Sequence, residues 1–455
     1  MFKGLFKSKK EQVPPPNVLI IIADDLGYGD LGCYGAVGFE TPRLDQLAED
    51  GVRFSSYYSG GPNCTGARAA LLTGCYPNRV GMGGRNLPPG GYTGLNPEER
   101  NLASMLGEAN YVSGYVGKWT MGSHGNFMPN AMGFDYWFGI PFSHSFLDPE
   151  VEDGIYLTTS LPLLDNENVI EEDTDPAFFT RRCTEQAAEF IESAGDNPFC
   201  LVVSHAMPHR PLAVTEEFDG RSKYGIYGDV IEELDWSVGA LVDVLAQLEK
   251  LDNTIIIFTS DNGPALQSEE VLGYRSGTSR PFRGGKGQTL EGGMRVPCIV
   301  NWPARIPGGQ VCPEMVTAMD WLPTIAGLAG VEVKRTPTID GKDVMPWIAG
   351  EKQPAKPVRE EYYYYRENRL QAVRQGPWKL HVFRADWEIE KPEKSDYMLF
   401  NLDSDTMEQS NLADQNPELV EELSKIADRA RRELGDSVHG KRGRGTRKSG
   451  KVSMT

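Results

Sequence analysis

Three short stretches of the chain are apolar without a break: Val18–Ala23 (Val-Leu-Ile-Ile-Ile-Ala), Pro198–Ser204 (Pro-Phe-Cys-Leu-Val-Val-Ser) and Thr254–Ser260 (Thr-Ile-Ile-Ile-Phe-Thr-Ser). Runs this short, rich in β-branched residues and lacking polar alternation, predict strands buried on both faces, as in a parallel sheet. Further strands are expected near Val52–Tyr58 and over Tyr111–Val116. Elsewhere the apolar period is helical. Gly228–Leu248 carries Ile231, Leu234, Val238, Leu241, Leu245 and Leu248 at core spacing, and Leu102–Ala109 reads as a shorter helix. Thr41-Pro42 opens another that runs through Leu44 and Leu47 to Gly51, with a cap, a first-turn proline and a terminal glycine in their preferred places.

Beyond about Met345 the pattern shortens. Tyr362–Tyr365, Arg369–Arg374, Trp378–Phe383 and Tyr397–Asn401 read as short strands separated by turns, and Asn416–Leu434 as one amphipathic helix. The expected architecture is α/β, a large mixed, mostly parallel sheet flanked by helices, with a smaller C-terminal antiparallel sheet plus helix. The expected units are a catalytic domain over residues 17–345, a C-terminal α+β subdomain over 346–435 and a basic tail over 436–455. Lys441–Thr455, with six Lys/Arg among glycines and serines, is expected to be disordered and solvated.

A chain of 455 residues with 40% hydrophobic and 24% charged residues supports a large soluble core. The net charge of −18 disfavours a nucleic-acid or anionic-membrane surface for the body of the protein, but leaves room for a local basic pocket. Seven cysteines (Cys33, Cys64, Cys75, Cys183, Cys200, Cys298, Cys312) form no Cys-x-x-Cys pair, so neither zinc nor a disulfide scaffold is indicated. Met1–Pro16 lacks the apolar stretch of an export signal, and no run reaches membrane-spanning length. As written the protein is expected to be cytoplasmic, or periplasmic or secreted if a signal has been removed.

The candidate chemistry lies where the strands end. Asp24-Asp25 follows the first apolar run, and Asp261-Asn262-Gly263 follows the third. Ligand sites of open α/β sheets lie beyond the carboxyl ends of strands, and four hard oxygen donors there suit Ca²⁺ or Mg²⁺ far better than zinc. The second run delivers His205 and His209, and Tyr111–Val116 leads to Gly117-Lys118-Trp119-Thr120. Pro62–Gly74 sets Cys64 just before a short apolar helix with Arg68 one turn on, a helix start that stabilises an anion. Lys286, between glycines in Arg283-Gly-Gly-Lys-Gly, is a further anion ligand.

The stretch from Cys64 to Gly74 resembles the sulfatase signature Cys-x-Pro-Ser/Ala-Arg followed by three residues and Leu/Met-Thr-Gly, and the order of motifs over Asn17–Leu434 is similar to the arylsulfatase A type within the alkaline phosphatase superfamily. The resemblance implies hydrolysis of sulfate monoesters by a formylglycine made from Cys64 by a maturation enzyme. It implies that Asp24, Asp25, Asp261 and Asn262 hold a divalent cation, usually Ca²⁺. Arg68 would bridge the metal ligands and residue 64, Lys118 and Lys286 would bind the sulfate oxygens, His209 would face the leaving group, and Ser143 would help hold it. Two positions depart from the pattern: Gly66 stands where proline is usual, and Thr120 where a histidine is usual. Two alternatives are a phosphate or phosphonate ester hydrolase of the same superfamily, and a sulfatase-like binding protein that has lost the reaction. Loops such as Leu87–Glu99 and Pro141–Asp175 are expected to select the ester.

Overall fold

The computed structural model describes residues 14–148, 160–266, 275–334, 336–349, 354–383 and 394–452. A ten-stranded sheet runs in the order Gln310–Cys312, Val52–Phe54, Cys298–Asn301, Thr254–Ser260, Asn17–Ala23, Phe199–Ser204, Val112–Lys118, Tyr136–Ile140, Leu163–Asp165, Asn168–Glu171. Its middle is parallel, from Thr254–Ser260 across to Tyr136–Ile140; antiparallel pairings flank it on both sides, and the edge strand Gln310–Cys312 is again parallel to Val52–Phe54. The three unbroken apolar runs are neighbours at its centre.

Both faces of the central strand are buried, and its side chains divide by parity. Val18, Ile20 and Ile22 enter one core with Ala69, Leu71 and Leu72 of the helix Cys64–Thr73 and with Trp321 and Leu322 of Trp321–Leu328. Leu19, Ile21 and Ala23 enter the other with Leu44 and Leu47 of Pro42–Glu49, Ile191 of Phe179–Ser193 and the apolar face of Ile226–Gln247. Each fully buried aliphatic side chain contributes about 1.5–3 kcal/mol relative to exposure, so a one-residue slip of this strand would exchange every partner without exposing an edge. Register is therefore held at the strand ends.

A second sheet, Glu361–Arg366, Arg369–Gln375, Trp378–His381 and Met398–Asn401, is wholly antiparallel, and Leu423, Ile426, Ala427, Ala430 and Leu434 of the helix Pro417–Leu434 pack with it. The same cluster takes in Tyr58, Ala70, Tyr76 and Met319, which seats the small sheet against the helix Cys64–Thr73.

Several local expectations change. The stretch 52–58 is two strands: Val52–Phe54 in the large sheet and Tyr57–Tyr58 paired with Val316–Thr317. Thr41 does not cap its helix; its hydroxyl accepts from the Gly32 N–H (2.8 Å) and reaches Asp45. Gly51 lies past the helix end, where a β-carbon would come 2.2 Å from the Val300 carbonyl, so closeness of backbones and not a left-handed turn selects glycine there. The tail departs furthest from expectation. Residues 441–452 are packed, with Gly450 paired to Gly94 and Arg447 bonded to Glu99, because backbone bonds and one buried-side ion pair substitute for the apolar contacts the segment lacks. Residues 1–13, 149–159 and 453–455 of the terminal and loop expectations lie outside the described residues. All seven cysteines are unpaired thiols, and no helix among the described residues is long and apolar enough to cross a membrane.

Candidate active site

The register of the parallel strands decides where the site is. Ala23 pairs with Ser260, Ile22 with Ser204, and Gly117 with Ser204, so four carboxyl ends finish level with one another. Backbone bonds then stitch the loops beyond them: Asp24 N donates to Met207 O (3.1 Å) and Asp261 N to Ala23 O (3.1 Å). Asp25 N donates to Asp261 Oδ1 (3.2 Å) from a left-handed backbone (φ 69°), a conformation that Asp tolerates better than most residues. This sharp reversal turns two successive carboxylates to one centre.

Asn262 completes that centre. Its Nδ2 donates to Asp25 Oδ1 (2.7 Å) and Gly263 O (2.9 Å), while its Oδ1 is buried and receives no hydrogen bond. A buried carbonyl oxygen without a donor, beside three carboxylates, is the donor set a hard divalent cation requires. The residues present fit such an ion. Ligand atoms of Asp24, Asp25, Cys64 and His209 also lie within 4.8 Å of one another.

Cys64 begins the helix Cys64–Thr73 and is 1% exposed, with Sγ 3.3 Å from Asp24 Oδ1 and 4.0 Å from Lys118 Nζ. Asn63 caps the helix by accepting the Gly66 N–H (3.2 Å), and a β-carbon at 66 would come 2.8 Å from that same oxygen. Proline there would remove the N–H the cap uses, which is a local reason for glycine in this chain. Burial first, then the Asp24 charge, hold the Cys64 thiol well above its ordinary pKa.

Arg68 faces inward from the same helix. Its Nε and Nη2 both lie 2.9 Å from Asp261 Oδ2, Nη2 is 3.4 Å from Asp24 Oδ2, and Nη1 donates to Lys118 O (3.0 Å) and to Ser204 Oγ. It ties four strand ends together. Lys118 pairs with Asp24, and Lys286 Nζ donates to Asp25 Oδ2 (2.8 Å). Burial alone would raise the Asp24 carboxyl, but Lys118, His209, Arg68 and Lys286 outweigh it and hold it well below the usual range. Asp261 is shifted the other way, by burial and by the Asp24 charge. Three carboxylates against Arg68, Lys118 and Lys286 leave the site formally neutral, so a divalent cation makes it a receptor for an anion.

His209 sits with Nδ1 2.6 Å from Arg210 O and Nε2 3.7 Å from Asp25 Oδ2. Burial, reinforced by Lys286 and Lys118, holds its pKa well below the ordinary value. His205, singled out with it, is instead core: its Nε2 lies 3.2 Å from Ser237 Oγ. Ser143 directs its hydroxyl to Ser145, accepting from Ser145 N (3.3 Å) and Ser145 Oγ (2.8 Å), and not to the carboxylate centre. The structure thus brings together Asp24, Asp25, Cys64, Arg68, Lys118, His209, Asp261, Asn262 and Lys286. Thr120 has a left-handed backbone (φ 63°); its carbonyl accepts from Thr65 Oγ1 (3.0 Å), and its own hydroxyl is buried without a partner.

Three supporting groups escaped the sequence reading. Ser204 and Tyr115 both donate to Lys118 O (2.6 and 2.9 Å), fixing the strand end that carries the lysine. His144 Nε2 lies 3.2 Å from His209 O and 3.0 Å from Pro211 O, and so pins the histidine loop. The third is a fully buried ionic cluster behind Lys286. Lys379 Nζ donates to Thr289 O (2.8 Å) and Glu291 Oε1 (2.9 Å) and is 3.0 Å from Glu408 Oε1; Glu408 Oε2 accepts from Glu291 N (2.8 Å). His381 Nε2 lies 2.7 Å from Glu408 Oε1, and Tyr364 and Tyr58 donate to Glu291. The small sheet thereby grips the segment that follows Lys286, and Gly287 N, donating to Pro62 O (2.8 Å), grips it from the Cys64 side. A lysine at an inward position of the alternating 378–381 strand was the one available sign.

Comparison with known proteins agrees with this geometry. The Sulfatase family profile matches residues 16–331, and the profile N-sulphoglucosamine sulphohydrolase, C-terminal, matches residues 285–433. The chain is 38% identical over 389 residues to N-acetylgalactosamine-6-sulfatase of Canis lupus familiaris, covering 82% of this chain and 73% of that one. It is 38% identical over 392 residues to arylsulfatase A of Homo sapiens, covering 81% and 75%. Among solved structures, Ps i-CgsB in complex with k-i-k-neocarrahexaose is similar, with a TM-score of 0.76 and 29% identity over 91% of this chain and 92% of that one.

Proposed function

The chain belongs to the sulfatase family and hydrolyses sulfuric esters, and from that membership we infer that its reaction runs on residue 64 as formylglycine, beside a divalent cation. The observation that carries this reading is the convergence of Cys64, Asp24, Asp25 and His209, whose ligand atoms lie within 4.8 Å of one another where Arg68, Lys118 and Lys286 also meet. Hydrated, a formylglycine supplies two hydroxyls on one carbon, one to displace the alcohol from sulfur and one to release the sulfate, which a thiol cannot do. Asp24, Asp25, Asp261 and Asn262 would hold the ion, Ca²⁺ more readily than Mg²⁺ because so many ligands are protein oxygens; when bound it supplies positive charge to the transferring group.

The chain's own residues do the rest. Lys118 and Lys286 flank residue 64 through Asp24 and Asp25, from where their ammonium groups can meet the oxygens of the sulfate as negative charge builds on them. Arg68 holds Asp24 and Asp261 in place and opposes the upward shift that burial imposes on both carboxyls. His209, with Nε2 turned to the cluster, is placed to face the departing oxygen. Because Cys64 is 1% exposed, its oxidation by a maturation enzyme belongs before the chain has closed over it. Two of the proteins named above, N-acetylgalactosamine-6-sulfatase and the Ps i-CgsB complex with k-i-k-neocarrahexaose, carry a carbohydrate in their names, and a carbohydrate sulfate is the substrate class we propose.

Mass spectrometry of the tryptic peptide Phe54–Arg68 from the native host tests this reading. An aldehyde in place of the thiol is expected, together with turnover of an aryl sulfate that exceeds turnover of the matched aryl phosphate. An intact thiol in protein that turns over sulfate would remove residue 64 from the role.

A further inference from the structure

The segment after the last long helix is the most basic part of an acidic protein. Between Gly440 and Val452 it holds Lys441, Arg442, Arg444, Arg447, Lys448 and Lys451 and no acidic residue, in a chain of net charge −18. It is nevertheless built into the fold as a strap. Arg447 Nε lies 2.8 and 2.9 Å from the two oxygens of Glu99, Arg447 N donates to Arg79 O (2.6 Å), and Arg79 Nη1 donates to Gly445 O (3.0 Å). Gly450 pairs with Gly94, and Val452 N donates to Tyr92 O (3.1 Å). Arg447 is thus used as the anchor. The other five cations are exposed, and none forms an ion pair among the described residues.

The loop that the strap covers also reaches the nucleophile. Gly84 O accepts from Asn63 Nδ2 (3.1 Å), and Asn86 Oδ1 accepts from Thr65 N (3.3 Å), on either side of Cys64. Asn86 is seven residues from Thr93, where the strap pairs, so the two ends of the loop lie within about 25 Å even if it is fully extended. Arg85, with 79% of its side chain exposed, stands at the near end with its Nε 3.5 Å from Glu367 Oε1.

We propose that the strap 441–451 is a binding site for a polyanionic glycan, engaging sulfate or carboxylate groups of the chain beyond the ester held at residue 64. This deepens, and rests on, the sulfatase reading above. Fixing five cations on an ordered segment tied to the loop that reaches residue 64 costs self-repulsion that a solvated tail would avoid, and a dispersed polyanion is the ligand that offsets it. A nucleic acid is disfavoured by the absence of any aromatic residue on the strap to stack a base and by the acidic body of the protein.

The test compares wild type with a variant carrying K441Q, R442Q, R444Q, K448Q and K451Q and keeping Arg447. Binding of dextran sulfate is measured at several salt concentrations, and turnover of 4-nitrocatechol sulfate in parallel. The variant is expected to bind dextran sulfate about tenfold more weakly at 0.15 M salt, with a shallower salt dependence, while kcat and KM for the small ester stay unchanged. Equal dextran sulfate affinity in the two proteins would overturn the proposal. So would binding of a thymidine oligonucleotide as tight as that of dextran sulfate and lost in the same variant. Absence of turnover on every sulfate ester, with the binding difference intact, would overturn the sulfatase reading and leave the strap assignment standing.

Discussion

Lys379→Met is the sharpest probe of how the small sheet serves the reaction. The ammonium it removes bonds Thr289 O at 2.8 Å and Glu291 Oε1 at 2.9 Å and stands 3.0 Å from Glu408 Oε1, all without solvent. Methionine fills the same volume but leaves two buried carboxylates facing each other without their shared cation, and breaking such a cluster from one side costs about 3–5 kcal/mol. Unfolding entropy of about 2.1 cal/mol/K per residue over 455 residues is about 1 kcal/mol/K, so the melting temperature should fall by about 3–5 °C if the chain melts as one unit. Thermal melting by circular dichroism reads this. Turnover of an aryl sulfate at 25 °C, far below the transition, reads the second consequence: a loosened 287–291 segment displaces Lys286 and lowers kcat by about tenfold. Lys379→Arg should recover part of both losses. In a Lys286→Ala background the effect of Lys379→Met on kcat should vanish while the thermal loss remains. An equal loss of kcat in both backgrounds would show that the cluster does not act through Lys286, and an unchanged melting temperature would refute the ionic account itself.

Other consequences follow from the same geometry. Lys286→Ala alone should lower kcat/KM by about 10²–10³-fold, because the ammonium meets charge that develops in the transition state; unchanged kinetics would exclude it from the site. Asn262→Leu removes the donor-less oxygen and should weaken Ca²⁺ binding by about tenfold or more in isothermal titration, whereas equal affinity would mean that Oδ1 is not a ligand. Glu408 gives a pH signature: burial raises its pKa, but Lys379 and His381 outweigh burial and bring it down to about 2. A depressed carboxyl contributes stability that is present above the unfolded value and lost as pH falls from about 4.5 toward 2, so wild type should lose urea resistance over that window more steeply than Glu408→Gln. Parallel curves would show that Glu408 titrates normally.

Much of the fold was legible because its signals are local. Unbroken β-branched runs announced the three central strands, and the change to short alternating segments announced the second sheet. The general position of the site was legible too, since Asp24-Asp25 and Asp261-Asn262 directly follow such runs. Where patterns misled, a tertiary contact had overridden a local preference. Thr41 was drawn off its cap by Gly32 and Asp45, and Gly51 was chosen by the Val300 carbonyl. The tail is ordered by Glu99, Arg79 and Gly94 although its composition is that of a solvated segment.

The sequence by itself determined which residues could do the chemistry and that they would stand at strand ends, because burial and periodicity are properties of neighbouring residues. Only the tertiary structure decided which charge meets which. Lys118 pairs with Asp24 across 94 residues, Lys286 with Asp25 across 261, and Arg68 with Asp261 across 193. Those pairings follow from the strand order and from the level finish of Ala23, Ser204, Ser260 and Lys118, and the grip of the small sheet on the Lys286 segment follows from how two sheets pack. Electrostatic contacts depend on distances of a few ångströms between segments far apart in the chain, and such distances exist only once the backbone is folded.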